Sequence, residues 1–417
     1  MITPPRPSDV NYDESRVGPY TLPDPLRCFD GSRVGSPQDW FEKRRPELLS
    51  AFETQIYGRA PAPGSLSIVG RRSDPSSLSG LASCEELDVS VTGERPDGSS
   101  HSLVFTVALW LPNAATTPVP AFIGLNYFGN QSVHSDPWLR LARGWVPNRE
   151  EYAIREHVAC EASRGCQSER WPLELLVSRG YAVATVYAGD FDPDYDDGFQ
   201  NGVHALFLNR GQRPAADEWA SISAWSWGMS RILDVLALTP RVDAARVVAT
   251  GHSRFAKAAL WAAATDPRFA IAISNDSGCG GASLSRRRFG ELTRDLNRRF
   301  PHWFCQNFRR YDDREGDLPV DQHELLALLA PRPVYVASAE LDLWADPKGE
   351  YLACQHADPV YRLLGSTGFQ GAPAEPVLGQ STGHTIGYHR RAGLHNITQV
   401  DWWHYLAFAD RHLKLGR

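Results

Sequence analysis

Arg246-Val-Val-Ala-Thr-Gly251-His252-Ser253-Arg254-Phe255-Ala256-Lys257 is an apolar run that ends in Gly-His-Ser and passes at once into a helical pattern. A strand that turns sharply at a serine and continues as a helix holds that hydroxyl exposed on strained backbone, the setting of a nucleophile. Small residues are needed around such a turn, and Gly251 supplies one. The usual pattern has a second glycine two residues after the serine, where this chain has Phe255. A Gly-x-Ser at a helix start is also an ordinary N-cap, so the surroundings must decide between the two readings.

Outward from this turn the chain alternates between two kinds of segment. Short continuous apolar runs lie at 119–125, 181–187, 246–250, 269–274 and 333–339, as expected of strands buried on both faces of a parallel sheet. Helical periods lie at 216–238, 255–265 and 400–413. Residues 85–91 and 102–111 alternate apolar and polar around a turn-rich segment and predict an antiparallel hairpin. The pattern predicts a single α/β domain over 1–417, layered around a mostly parallel central sheet. Residues 1–80, rich in Pro, Gly and Ser around one helical stretch at 40–56, read as an N-terminal wrap. Residues 127–171 and 277–330 are long and weakly periodic. They follow strands at the edge where open α/β sheets bind ligands, and they are expected to form the walls of a cleft.

Composition narrows the function. The 417 residues are 42% hydrophobic and 22% charged, with 43 Lys+Arg against 49 Asp+Glu and a net charge of −6. No basic stripe points to nucleic acid, and no run reaches the roughly 18 apolar residues of a membrane span. The seven cysteines contain no CxxC pair for zinc or thiol exchange and are expected to be mostly buried free thiols. The run Asp190-Phe-Asp-Pro-Asp-Tyr-Asp-Asp197 lacks the glycine and glutamate of a calcium loop and reads as a solvated acidic loop.

Several consecutive motifs are recognisable. Gly251-His-Ser-Arg-Phe-Ala-Lys257, Ser274-Asn-Asp-Ser-Gly-Cys-Gly-Gly-Ala282 and Ser285-Arg-Arg-Arg-Phe-Gly-Glu291 resemble the glucuronoyl esterases, carbohydrate esterase family 15. So do Leu125-Asn-Tyr-Phe-Gly-Asn130, Pro301-His-Trp-Phe304 and Ser338-Ala-Glu-Leu-Asp-Leu-Trp-Ala-Asp-Pro347, and the resemblance spans roughly residues 20 to 412. It implies an α/β-hydrolase fold, a three-layer sandwich. It also implies a serine esterase that cleaves the bond between (4-O-methyl)glucuronic acid on xylan and lignin alcohols. A broader carbohydrate or acetyl-xylan esterase, or a degenerate carbohydrate-binding protein, are the competing readings. The family carries G-x-S-R-x-G-K, so Phe255 is expected there, whereas Ala256 in place of glycine is a departure expected to reshape the pocket floor.

The resemblance distributes roles. Ser253 is the expected nucleophile and needs a base to take its proton. His395, in Gly393-Leu-His-Asn before the last helix, is favoured over His389 and His384 by family pattern and chain order. Two carboxylates compete to orient it. Asp276 stands where the family usually has glutamate and is one methylene shorter, while Asp342 follows the strand at 333–339 and is placed slightly ahead. Arg254 is expected to stabilise the oxyanion through its backbone N–H and guanidinium. Lys257 matches a lysine contacting the uronate, Glu291 a carboxylate accepting sugar hydroxyls and Trp344 a sugar platform, with Gln306 a further polar candidate. No metal or organic cofactor is implied, and a monomer is the default. The substrate calls for a secreted or periplasmic protein, although Met1-Ile-Thr-Pro-Pro-Arg-Pro lacks the features of a signal peptide.

Overall fold

The computed structural model describes residues 9–413, so the N-terminal stretch read for a signal lies outside the described residues. One sheet of ten strands organises the chain. They are β1 (Ser65–Asp74), β2 (Ala82–Glu94), β3 (Ser100–Pro112), β4 (Val119–Asn126), β5 (Ala182–Tyr187), β6 (Val242–His252), β7 (Ile271–Asn275), β8 (Val334–Ala339), β9 (Ser381–Gly383) and β10 (Ile386–Arg391). Their order across the sheet is β1-β2-β3-β5-β4-β6-β7-β8-β10-β9. The stretch from β5 to β10 is parallel throughout, while β1 to β3 and β9 are antiparallel additions. The architecture is α/β, with a mixed sheet whose centre is parallel.

The apolar runs separate into two layers because successive side chains on a strand point to opposite faces. In β3, Leu109 and Leu111 enter one apolar cluster and Ala108 and Trp110 the other. The same division holds for Val247 and Ala249 against Val248, and for Val334 and Val336 against Tyr335 and Ala337. Helices Ser221–Ala237, Arg254–Thr265 and Pro347–Leu363 pack on the first face, and Leu173–Ser178 and Gln399–Leu413 on the second.

Four features differ from the sequence reading. Residues 9–80 do more than wrap, because β1 pairs with β2 and extends the sheet. The helical stretch expected at 40–56 runs from Pro37 to Tyr57, and its buried Arg44 donates to Glu324 at 2.6 Å. The sequence reading assigns no element to β9, β10 or helix Pro347–Leu363, although that helix buries Tyr351, Cys354, Ala357 and Tyr361 in the core. In β10 the buried residues include His389 and Arg391, which face buried acidic partners rather than the apolar core. The segment 277–330 is not all loop, since it contains helices Thr293–Arg299 and Gln322–Ala327.

Parallel order has one consequence for chemistry. The C-terminal ends of β4, β6, β7, β8 and β10 lie along one edge of the sheet. Residues 127–171, Ser253, Asp276, Asp342 and His395 each follow one of those ends.

Candidate active site

Ser253 is the turn between β6 and helix Arg254–Thr265, with φ 58° and ψ −127°. A non-glycine residue in that region stores roughly 1–3 kcal/mol of strain and persists only where its surroundings hold it. Here Ser253 N donates to Asn275 O at 2.9 Å, and Tyr127 Oη donates to His252 O at 2.6 Å. A Cβ on Gly251 would stand 2.1 Å from Phe255 O, so only glycine lets the helix fold back on its strand. Phe255 fits at the position of the usual second glycine because its ring packs inward, against Tyr127 at 4.4 Å and Trp225 at 5.2 Å. Ala256 is fully buried and is not among the residues lining the cleft, so its methyl does not form the pocket floor.

The candidate base and its candidate acid are brought together by strand pairing. β8 and β10 are parallel neighbours, and beyond them Glu340 N donates to Arg391 O at 2.8 Å and Leu341 N to Gly393 O at 3.0 Å. That alignment sets His395 Nδ1 2.6 Å from Asp342 Oδ2. Asp276 follows β7, one strand further away. Its carboxylate accepts from Ala339 N at 2.7 Å, Asn396 N at 3.3 Å and Arg391 Nη2 at 3.4 Å. Burial first, and then the neighbouring Asp342 charge, push the Asp276 carboxyl well above the ordinary carboxylate range. One ligand atom from each of Asp276, Asp342 and His395 falls within 4.8 Å of the others, so both acids lie beside the imidazole while Asp342 makes the bond.

The other two histidines are not at the site. His389 is fully buried and is bonded to Asp401 at 2.9 Å and to Tyr335 at 3.0 Å. His384 is bonded to Thr367 at 2.7 Å. Gln306 is exposed and lines a separate depression with Arg213 and Trp219.

Two cations flank Ser253. Arg254 pairs with Asp194, and its guanidinium lies 4.6 Å from the Trp303 ring, 5.3 Å from Phe300 and 5.8 Å from Tyr127. Lys257 is buried, donates to Ser277 O and to Cys279 O at 2.6 Å, and stands 3.6 Å from Glu291. Burial raises the Glu291 carboxyl above its ordinary range, against the pull of Lys257 and Arg299. Glu291 is tied to the Trp344 segment by its N–H to Trp344 O at 2.8 Å. Gly290, at φ 66°, permits that approach, because a Cβ there would meet Leu343 O and Trp344 O at 2.5 Å.

The cleft has two lobes that share Ser253, Arg254, Arg149 and His395. Lys257, Glu291, Trp344 and Trp303 line one, and Tyr127, Tyr152, Gln167 and Asp194 the other.

The chain as a whole is similar to known proteins. A family model described as "Glucuronyl esterase, fungi" matches residues 214–365. Carbohydrate esterase MZ0003, from an unknown prokaryotic organism, is 44% identical over 412 residues, covering 99% of this chain and 94% of the relative. The 4-O-methyl-glucuronoyl methylesterase 1 of Wolfiporia cocos is 33% identical over 359 residues, 84% of this chain and 74% of its own. The chain belongs to the glucuronoyl esterases of carbohydrate esterase family 15. A solved structure of a promiscuous CE15 esterase from a marine bacterial metagenome superposes with a TM-score of 0.88 at 43% identity. It covers 97% of this chain and 100% of that one.

As a glucuronoyl esterase the protein is a carboxylic ester hydrolase. The sequence reading missed several charged residues of its cleft, among them Arg149, Glu151, Arg170, Arg299 and Asp194. Asp194, read as part of a solvated loop, bonds Arg254, His302 and Trp303. Asp192 in the same run is buried and pairs with His204 at 3.1 Å. Phe191, Asp192 and Pro193 are all buried in a turn, so no alternation along the chain marks Asp194.

Proposed function

We propose that this esterase has the α/β-hydrolase fold in one catalytic domain and cleaves the ester between (4-O-methyl)glucuronic acid of xylan and a lignin alcohol, through a covalent acyl-enzyme on Ser253. The observation that carries the reading is the pairing of a strained serine at the β6 turn with a His395–Asp342 pair on the same cleft wall. In the first half of the cycle His395 takes the Ser253 proton as the hydroxyl oxygen attacks the ester carbonyl, and Asp342 stabilises the imidazolium. The Arg254 N–H, at the start of its helix, and the Arg254 guanidinium meet the developing oxyanion. The alcohol departs with the proton from His395. Water then attacks the acyl-enzyme with His395 again as base, and the uronic acid leaves as a carboxylate.

Lys257, Glu291 and Trp344 are proposed to hold the sugar. They line one lobe of the cleft, offering a buried cation, a carboxylate for hydroxyl donors and an aromatic face. A broader ester specificity is the second reading, favoured by the 43% identity to the marine CE15 esterase, which is described as promiscuous. Turnover of benzyl glucuronate and of 4-nitrophenyl acetate, each with Ser253→Ala as control, separates the two. Serine-dependent preference for the uronate is expected, and activity on the acetate alone would retain the hydrolase and discard the substrate.

A further inference from the structure

The run after β5 enters the cleft with a single carboxylate. One oxygen of Asp194 meets Arg254, and the other accepts from His302 Nε2 at 3.0 Å and Trp303 Nε1 at 2.8 Å. The rings of Trp303, Phe300 and Tyr127 lie around the guanidinium and offer it no hydrogen-bond acceptor in their faces. Among the described residues, the hydrogen bond to the Asp194 carboxylate is the one that gives it a direction. Burial alone would raise the Asp194 carboxyl, yet Arg254 and the donors on His302 and Trp303 hold it well below the ordinary range. On the other side of Ser253, Lys257 has Glu291 within 3.6 Å. Arg254 and Lys257 therefore each have their own buried or half-buried carboxylate.

That balance matters for a uronate ester. The substrate's carboxyl is neutral, and hydrolysis breaks its acyl C–O bond, adds the oxygen of water and leaves a carboxylate with one proton released. An unmatched guanidinium beside Ser253 would bind this product more tightly than the substrate, and release would slow turnover.

We propose that Asp194 is a positioning residue that directs the Arg254 guanidinium toward the oxyanion and offsets its charge, so that the uronate anion leaves the cleft. The proposal rests on the esterase reading above.

The test is Asp194→Asn in the full chain, with binding measured by calorimetry in a Ser253→Ala background. Free glucuronate and its neutral methyl ester are the probes. Removing the offsetting charge is expected to tighten glucuronate binding about five- to tenfold and leave the ester within about twofold. With Ser253 present, kcat on the methyl ester is expected to fall about tenfold as the cation loses its direction. Unchanged or weaker glucuronate binding with the ester still bound overturns the proposal. Loss of both ligands also overturns it, because it marks Asp194 as scaffold only, and so does an unchanged kcat. If the unmodified protein shows no Ser253-dependent turnover of the methyl ester, the esterase reading itself fails.

Discussion

His395 presents Nδ1 to Asp342 Oδ2 at 2.6 Å, while Asp276 bonds Ala339 N, Asn396 N and Arg391 instead. Strand order explains the preference, because β8 lies directly beside β10 and β7 does not. A carboxylate that follows β8 meets a histidine that follows β10 without reaching past another strand. The side chain of Asp276 is already fastened to the end of β8 by its bond to Ala339 N.

Unequal costs are therefore expected when each acid is made neutral. Asp342→Asn removes the acceptor that fixes the His395 tautomer and is expected to lower kcat by about 10³- to 10⁴-fold. Asp276→Asn leaves that bond intact and should cost about tenfold. Steady-state kinetics on methyl glucuronate decide the matter, and a larger loss from Asp276→Asn would reverse the assignment.

The turn at Ser253 predicts a trade between stability and activity. Ser253→Gly relieves the positive φ and is expected to stabilise the protein by about 1–2 kcal/mol while removing turnover. Gly251→Ala forces a methyl against Phe255 O, where the gap is 2.1 Å, and should destabilise by at least about 2 kcal/mol. Urea denaturation of the two variants checks both signs.

Arg391 joins both sides of the site from below. It pairs with Asp401 at 2.8 Å and with Asp276, and it donates to Leu394 O and Asn396 O on either side of His395. Arg391→Met leaves two buried carboxylates without their cation, at an expected cost of about 3–5 kcal/mol. Because the loop carrying His395 loosens as well, kcat should fall at temperatures where the variant is still folded. Circular dichroism alongside activity tests this, and a variant as stable and as active as the parent would refute it.

A buried histidine outside the cleft predicts an acid-side loss of stability. His323 is fully buried, with Nε2 bonded to Pro23 O at 2.9 Å. Burial, with a contribution from His356 and against the pull of Asp321, lowers its pKa to about 4. The unfolded chain protonates near the ordinary 6.5, so below that value it binds a proton that the folded chain refuses. Stability from this group is present above about 6.5 and is lost progressively as pH falls toward 4, by roughly 2–3 kcal/mol at pH 4.5. His323→Phe should remove that part of the slope, as read from denaturation midpoints at pH 7 and pH 4.5.

Features that depend on near neighbours in the chain were legible before any fold was known. The serine turn needs only a strand, a glycine and a helix start within a dozen residues, and all three can be read between Arg246 and Lys257. The apolar runs of β4, β5 and β8 mark strands buried on both faces for the same local reason. β10 is buried yet carries His389 and Arg391, so its place is legible only once Asp401 and Asp276 are seen beside it. The aspartate that bonds His395 is selected by strand adjacency, which spacing along the chain does not encode. The same holds for the place of Asp194 in the cleft. A carboxylate in an acidic run looks solvated until the fold brings Arg254, His302 and Trp303 to it from segments about 60 and about 110 residues away.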